Sequence, residues 1–174
     1  ELIGTFNSIL KISELEANTE FRDFQPCDLY KIVEHMVEFY EPYAAEKDIV
    51  LVNKIDSGII VYGEKNLLTQ AFTNIIDNAI KFTPKGGRVE ISCEQAPGII
   101  DVIIADNGVG IPDNYMDKVF EKFFRLEQSR HTKGNGLGLS LVNAIANIHN
   151  AEVILSNNNP GLKVCIRFHM GNND

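Results

Sequence analysis

Two glycine clusters constrain the fold of this chain more than any other feature of its sequence. They read Asp106-Asn107-Gly108-Val109-Gly110 and Gly134-Asn135-Gly136-Leu137-Gly138-Leu139. The stretch between them is too polar to form core, so residues 107–135 are predicted to be irregular. The hydrophobic core must therefore come from the segments on either side of this stretch.

Hydrophobic periodicity predicts the helices and strands of those segments. The predicted helices cover residues 1–19, Asp28 to about Pro42 (or on through Tyr43–Glu46 after a kink at the proline), Lys65 to Phe82, and Gly136 to His149. The predicted strands are Ile49–Val52 and Ile59–Tyr62 around a turn at Asp56-Ser57-Gly58, Arg88–Cys93 and Ile99–Ala105 as a hairpin, and Glu152–Ser156 with Lys163–His169. This order indicates an α/β (α+β) two-layer sandwich, with helices on one face of a mixed, mostly antiparallel sheet.

Composition limits the class of protein. A chain of 174 residues suits one domain with a short extra segment. Its formal net charge of -8, without a basic tract, argues against nucleic-acid binding. No apolar run is long enough to span a membrane, and we expect no membrane contact by this segment. Cys27, Cys93 and Cys165 are odd in number and far apart, which is typical of buried thiols in the cytosol.

The first segment has a helical stripe of its own. Ile3, Phe6, Leu10 and Ala17, with Ser13 in the gap, recur at heptad-like steps that suit packing against a partner helix. Phe24-Gln25-Pro26 has the pattern of an extended linker. We therefore predict a helical segment over 1–19, a linker over 20–27, a domain over 28–170 and a tail over 171–174.

The helix from Lys65 to Phe82 has a polar face besides its apolar one. At about 100° per residue, Asn74, Asn78 and Lys81 project within roughly 60° of one another. Amide oxygens suit a Mg²⁺ ion that keeps waters and phosphate ligands, and lysine adds a point charge against phosphate. A lone Asn-x-x-x-Asn is more often a solvated helix face. The glycine clusters reverse that preference.

Each glycine cluster also has a functional and an ordinary interpretation. Asp106 ends a buried strand and can accept a hydrogen bond from the exocyclic amine of adenine, although Asp-Asn-Gly is also an ordinary turn. The second cluster opens a helix whose free amides favour phosphate, although a helix after a flexible loop explains it as well. The P-loop, the dinucleotide fingerprint and the eukaryotic protein-kinase elements are absent from the sequence.

These residues resemble the catalytic ATP-binding domain of bacterial sensor histidine kinases, over roughly residues 26–170. Asn74 to Phe82 resembles the N box of that family, Asp106 to Gly110 its G1 box and Gly134 to Leu139 its G2 box. Phe120 to Arg125 resembles the F box within the ATP lid. The resemblance implies the Bergerat ATP-binding fold, which agrees with the predicted sandwich.

The resemblance also implies roles for individual residues and two cofactors, ATP and Mg²⁺. Asn78 would ligate Mg²⁺, Lys81 would touch phosphate, and Asp106 would bind the adenine amine, with Asn74, Asn78 and Lys81 as the catalytic set. The full set expected at the nucleotide is Asn74, Asn78, Lys81, Phe82, Asp106, Gly108, Gly110, Ile111, Phe120, Arg125, Gly134, Gly136, Leu137 and Gly138. Lys122 and Arg125 are the candidate lid cations.

By the same resemblance, residues 1–19 are similar to the end of a dimerisation and phosphoacceptor helix. The four histidines of this chain, His35, His131, His149 and His169, lack the sequence that follows the family's acceptor histidine. The expected function is transfer of the γ-phosphoryl group of Mg²⁺–ATP to a histidine upstream of this segment. The phosphoryl group would then pass to an aspartate of a response regulator in the cytoplasm. The resemblance also implies that the parent protein is a homodimer, and a membrane anchor is compatible with it.

Other functions of the same superfamily remain open. Gyrase and mismatch-repair ATPases place a water-activating glutamate four residues before the metal asparagine. Here that residue is Asn74, whose amide is not a useful proton acceptor. Transfer to histidine is therefore favoured over hydrolysis. An ATPase, a serine-directed kinase, and a catalytically degenerate nucleotide-binding or docking module are the alternatives.

Overall fold

The fold is a five-stranded sheet with helices packed on one face, together with a smaller two-stranded sheet. The computed structural model describes residues 2–17, 23–127 and 134–170. The predicted end of the first helix at residues 18–19, the linker residues 20–22 and the tail 171–174 lie outside the described residues. His131 and the rest of 128–133 lie outside them too.

The elements follow one another in an alternating order. The helices are α1 (Leu2–Ala17), α2 (Leu29–Glu46), α3 (Lys65–Phe82) and α4 (Gly138–Ile148). The strands are β1 (Gln25–Asp28), β2 (Val50–Asn53), β3 (Ile60–Gly63), β4 (Arg88–Ala96), β5 (Ile99–Asp106), β6 (Ala151–Asn157) and β7 (Leu162–His169). Two short 3₁₀ turns, Asp113–Tyr115 and Lys118–Phe120, interrupt the segment that was predicted to be irregular.

The large sheet has the strand order β2-β4-β5-β7-β6. Only the β2–β4 pair is parallel, and the β4–β5, β5–β7 and β6–β7 pairs are antiparallel. The sheet is therefore mixed and mostly antiparallel, as predicted. The hairpin between β4 and β5 is also confirmed, with Ala96 opposite Ile99 and Gly98 at a φ of 73° in the turn.

The strands predicted on either side of the Asp56-Ser57-Gly58 turn, β2 and β3, do not pair with each other. β3 pairs instead with β1, which occupies part of the predicted linker, and β2 pairs with β4. The reason is visible just beyond β2, where the amide of Lys54 donates to the carbonyl of Ile91 at 2.7 Å. The chain thus remains hydrogen-bonded to β4 one residue past the end of β2, while β3 pairs with β1 in the other sheet.

The core lies between the sheet and the helices. The predicted apolar face of α3 is fully buried; its members are Leu68, Ala71, Phe72, Ile75, Ile76 and Ala79. They share one cluster with alternate residues of the sheet, such as Val102, Ile104 and Ile166. Ile103 and Cys165 project from the opposite face of the sheet and do not belong to this cluster. The helices therefore cover one face only, and the two-layer prediction is confirmed.

Helix α1 packs against α4 through a face different from the predicted stripe. Ile12 and Leu15 are buried, whereas Phe6 and Leu10 are 60% and 46% exposed. An ion pair of 2.9 Å joins Glu16 of α1 to Lys122. The side chain of Ile3 lies outside the described residues. Among the described helices, none combines the length and apolarity needed to cross a membrane.

Two helix ends differ from prediction. Helix α2 continues through Pro42 to Glu46, the second of the two outcomes that the sequence allowed. Helix α4 begins at Gly138, two residues later than predicted, because Gly136 has a φ of 71° and cannot join a right-handed helix.

Candidate nucleotide-binding site

A cavity of about 520 Å³ opens between α3, the end of β5 and the start of α4. Its volume lies within the range typical of small-ligand sites. It is lined by most of the residues predicted for the nucleotide, namely Asn74, Asn78, Lys81, Phe82, Asp106, Gly110, Ile111, Arg125, Gly134, Gly136 and Gly138. Residues that are up to 64 positions apart in sequence are thus brought to one concave surface.

Three residues of the predicted set do not line this cavity: Gly108, Phe120 and Leu137. Leu137 is only 1% exposed and belongs to the core beneath the start of α4. Phe120 ends a 3₁₀ turn whose neighbour Val119 lines the cavity instead. Gly108 lies against the end of α3 instead, where a Cβ at this position would clash with the carbonyl oxygen of Phe82. Its lack of a side chain lets the strand-end turn approach the end of α3.

The amides of α3 face the first residue of α4. A Cβ on Gly138 would lie 3.3 Å from Oδ1 of Asn74 and 3.5 Å from Nδ2 of Asn78. The amide of Asn74 is itself oriented by a 2.8 Å hydrogen bond from its Nδ2 to the carbonyl of Gln70. The positive end of the α4 dipole therefore lies beside two carboxamides, an arrangement that suits an anion.

The start of α3 is fixed independently of the cavity. The carboxylate of Glu64 accepts hydrogen bonds from the amides of Asn66 and Leu67, both at 2.9 Å, and caps the helix. A capped and fully packed helix holds its polar face in one orientation. The amides and the lysine are thus presented on a rigid support.

Lys81 does not project alone into the cavity. Its Nζ forms an ion pair with Oδ2 of Asp77, one turn earlier on α3, and Asp77 lines the cavity as well. Sequence reasoning gave Asp77 no role. The signal was present, however, because a carboxylate four residues before a lysine is a favourable helical pair.

Asp106 is 6% exposed and is held by the backbone. Its Oδ1 accepts hydrogen bonds from the amides of Gly108 at 2.8 Å and Leu162 at 3.2 Å. Burial raises the pKa of this carboxyl, and the two amide hydrogen bonds oppose that rise. Both bonds use the same oxygen, which leaves Oδ2 to accept from a ligand in the cavity.

The loop after β6 supports Asp106, a role that sequence reasoning missed. Gly161 has a φ of +107°, and a Cβ on it would lie 1.9 Å from the carbonyl oxygen of Asp106. Nδ2 of Asn158 donates to that same oxygen at 2.8 Å. A glycine in a loop between two strands was the available signal. Its contact with a residue 55 positions earlier could not be read from the sequence.

The segment between the glycine clusters is hydrogen-bonded through Phe123 and Arg125 to the second cluster. The amide of Phe123 donates to the carbonyl of Gly136 at 3.0 Å, and the guanidinium of Arg125 donates to the carbonyl of Gly134 at 2.7 Å. Gly136 lies against the Phe123 backbone, where a Cβ would be 2.8 Å from its carbonyl carbon. Glycine at position 136 is therefore required both by its φ and by this approach.

Other residues line the cavity without having been predicted. They are mostly apolar and form the walls of the cavity. Besides Asp77, Val119 and Leu162, they are Ile75, Ala79, Thr83, Pro84, Ile104, Val109, Phe124, Leu126, Asn135, Leu139 and Val164. Thr83 is an exception, because its buried hydroxyl is without a hydrogen-bond partner among the described residues. The cavity thus combines apolar walls with a few convergent polar groups.

The donor set fits a magnesium ion that arrives with a nucleotide. Among the described residues, no group of three or more His, Cys, Asp or Glu side chains could hold a metal. A metal that came with a nucleotide would find ligands here in phosphate, water and amide oxygens. The neutral amide of Asn78 matches the preference of Mg²⁺ for oxygen ligands in such a shell.

Comparison with known proteins agrees with this geometry. Residues 63–172 match the family described as histidine kinase-, DNA gyrase B-, and HSP90-like ATPase, and they span α3 and the whole cavity. The chain therefore belongs to this family of ATP-binding domains.

The individual proteins that the chain resembles include sensor histidine kinases of this family. The sensor-like histidine kinase SenX3 of Mycolicibacterium smegmatis is 32% identical over 156 residues, which cover 88% of this chain and 41% of that protein. The solved structure of the mycobacterial sensor histidine kinase MprB is 29% identical, with a TM-score of 0.74 over 84% of this chain and 97% of that one. The chain spans less than half the length of such curated relatives.

A third structure shares the fold. The histidine kinase ThkA, solved in complex with the response regulator protein TrrA, has a TM-score of 0.79 at 20% identity, covering 98% of this chain and 48% of that one. At this identity the match shows the fold alone.

Proposed function

We propose that this chain is the ATP-binding catalytic domain of a two-component sensor kinase. It transfers the γ-phosphoryl group of Mg²⁺–ATP to a histidine of a dimerisation and phosphoacceptor domain. Membership of the ATPase family and the sensor kinases among its relatives support this proposal. The main observation behind it is that the carboxylates lining the cavity are held by other groups of the protein.

Hydrolysis is favoured by a base that takes the proton of water beside the phosphates. Among the described residues that line the cavity, the carboxylates are Asp77 and Asp106. Asp77 is ion-paired with Lys81, and Asp106 is held by backbone amides at the turn after β5. Position 74 carries an amide. A neutral imidazole already has a lone pair for attack, so it needs no such base.

The remaining groups align the substrate and neutralise its charge. In this proposal Asn78 ligates Mg²⁺, Lys81 binds phosphate, and the amide of Asn74 orients the reacting groups. Oδ2 of Asp106 accepts a hydrogen bond from the adenine amine, and Phe82 lines the adenine site. The α4 amides that begin at Gly138 add donors to the phosphates.

The acceptor histidine is a residue outside this chain. His149 is buried, and both of its ring nitrogens are engaged: Nε2 accepts from the amide of Glu64 at 3.0 Å, and Nδ1 lies 2.7 Å from the carbonyl of Ile145. His35 and His169 are on α2 and at the end of β7, away from the residues that line the cavity.

The partners in this proposal are a dimerisation domain and a response regulator. Helix α1 would be the end of a dimerisation helix, with the linker following it. Its exposed Phe6 and Leu10 are apolar groups that a helical bundle would bury. A cytosolic location follows from ATP as substrate and agrees with three free cysteines.

The test is to mix this chain with a separately prepared helical hairpin that carries an acceptor histidine. With radioactive γ-labelled ATP and Mg²⁺, we expect acid-labile phosphate on the hairpin and none on this chain. Acid-labile phosphate on this chain itself would contradict the proposed division of labour. Steady-state hydrolysis without an acceptor would indicate an ATPase, and acid-stable phosphate a serine-directed kinase. Nucleotide binding with no transfer would indicate a docking module.

A further inference from the structure

Asp77 is a carboxylate in the nucleotide cavity to which the proposed reaction assigns no step. It lies immediately before Asn78 on α3, and its Oδ2 is ion-paired with Nζ of Lys81. The two side chains are 31% and 26% exposed, and both line the cavity. The only cation on the polar face of α3 is thus neutralised by its own helix.

This pairing conflicts with the binding of phosphate. A triphosphate must draw Lys81 away from Asp77, since one ammonium group cannot fully satisfy both anions. The carboxylate that remains then faces a second negative charge across a cavity that is only partly open to water. Like charges repel each other more strongly in such a partly enclosed cavity than in bulk water. A carboxylate at position 77 therefore opposes nucleotide binding.

Neighbouring groups do not compensate Asp77. Nζ of Lys47 donates to the carbonyl of Ile80 at 3.1 Å and lies over the ring of Tyr43. On α2, burial and then the negative charge of Asp77 raise the pKa of Tyr40 to about 12, so this phenol stays neutral. Within the described part of the chain, Lys81 is the ion-pair partner of Asp77.

We propose that Asp77 is a positioning residue that sets nucleotide affinity at the site assigned above. It holds Lys81 on the polar face of α3, competes with phosphate for that lysine, and recaptures it when the product nucleotide leaves. The inference rests on the proposed nucleotide site. It predicts that Asp77 weakens the binding of nucleotides that carry phosphate groups and leaves the affinity for adenosine unchanged.

The test is calorimetric titration of the whole chain with Mg²⁺–ATP, Mg²⁺–ADP and adenosine. Asp77→Asn keeps the size of the side chain and removes the charge. We expect it to bind ATP and ADP about tenfold more tightly, with slower ADP release, because a like charge has been removed. Adenosine affinity should stay within about twofold of wild type, as expected for a site where only charge has changed. Asp77→Glu should return ATP affinity toward the wild-type value.

The matched control is Asp48→Asn. Asp48 forms an ion pair of 3.1 Å with Lys85 and does not line the cavity. Asp48→Asn changes the net charge by the same amount as Asp77→Asn. Equal tightening of ATP binding by both variants would therefore attribute the effect to overall charge and overturn the inference. Weaker ATP binding by Asp77→Asn, or an equal change in adenosine affinity, would overturn it as well. If the wild-type chain binds no nucleotide, the proposed function itself fails instead.

Discussion

Replacing Gly161 by alanine should damage the adenine end of the site from a loop that contacts Asp106 and Gly110. The new Cβ would be placed 1.9 Å from the carbonyl oxygen of Asp106, and the backbone at φ +107° is strained for any side chain. The strain costs about 1–3 kcal/mol. Displacement of the loop also breaks the hydrogen bond from the Leu162 amide to the Asp106 carboxylate, worth about 1.5–3 kcal/mol.

The two terms together predict a loss of roughly 2.5–6 kcal/mol in the free energy of unfolding. For a domain of this size this corresponds to a fall in Tm of about 5–20 °C. Adenosine and ATP affinity should both fall at least about tenfold, because Asp106 loses its orientation. Calorimetry well below the transition measures binding, and thermal unfolding measures stability.

Gly58→Ala provides the matched control. Gly58 has a φ of +85°, and nothing lies within 4 Å of a Cβ built on it. This variant isolates the backbone strain, about 1–2 kcal/mol, without a clash and without contact to the cavity. If Gly161→Ala loses no more stability than Gly58→Ala and binds adenosine normally, the support of Asp106 by this loop is refuted.

Three further outcomes are expected. Asp106→Asn should weaken ATP binding about tenfold or more, because an amide would face the adenine amine, yet raise stability near neutral pH. Because the folded pKa of Asp106 is raised, its ionisation destabilises the fold as pH rises; unfolding at several pH values should show the gain vanish in acid. Asn78→Ala should lower ATP affinity only with Mg²⁺ present, and leave adenosine titrations unchanged. Arg167→Ala should remove a two-point ion pair of 2.7 and 2.9 Å that lowers the pKa of Asp101. Stability above the unfolded pKa of Asp101 should therefore drop, and the difference from wild type should fade as pH falls. An Asp101 NMR titration that is the same in wild type and variant would contradict this.

Local pattern was sufficient for much of this protein. The apolar face of α3 and the hairpin of β4 with β5 follow from spacing of apolar residues and from Pro97-Gly98. The polar face with Asn74, Asn78 and Lys81 follows from the same helical geometry. These features are determined within one helix or one turn, where the rotation per residue is fixed by the backbone itself.

The tertiary structure alone decided the long-range features. The sequence contains strands 50–53 and 60–63 but does not say that they join different sheets, because strand pairing is settled by which edges are free. Likewise, the approach of Gly161 to Asp106 and the choice of which α1 face is buried depend on packing between distant segments. Periodicity carries no information about such contacts, since it describes one element at a time.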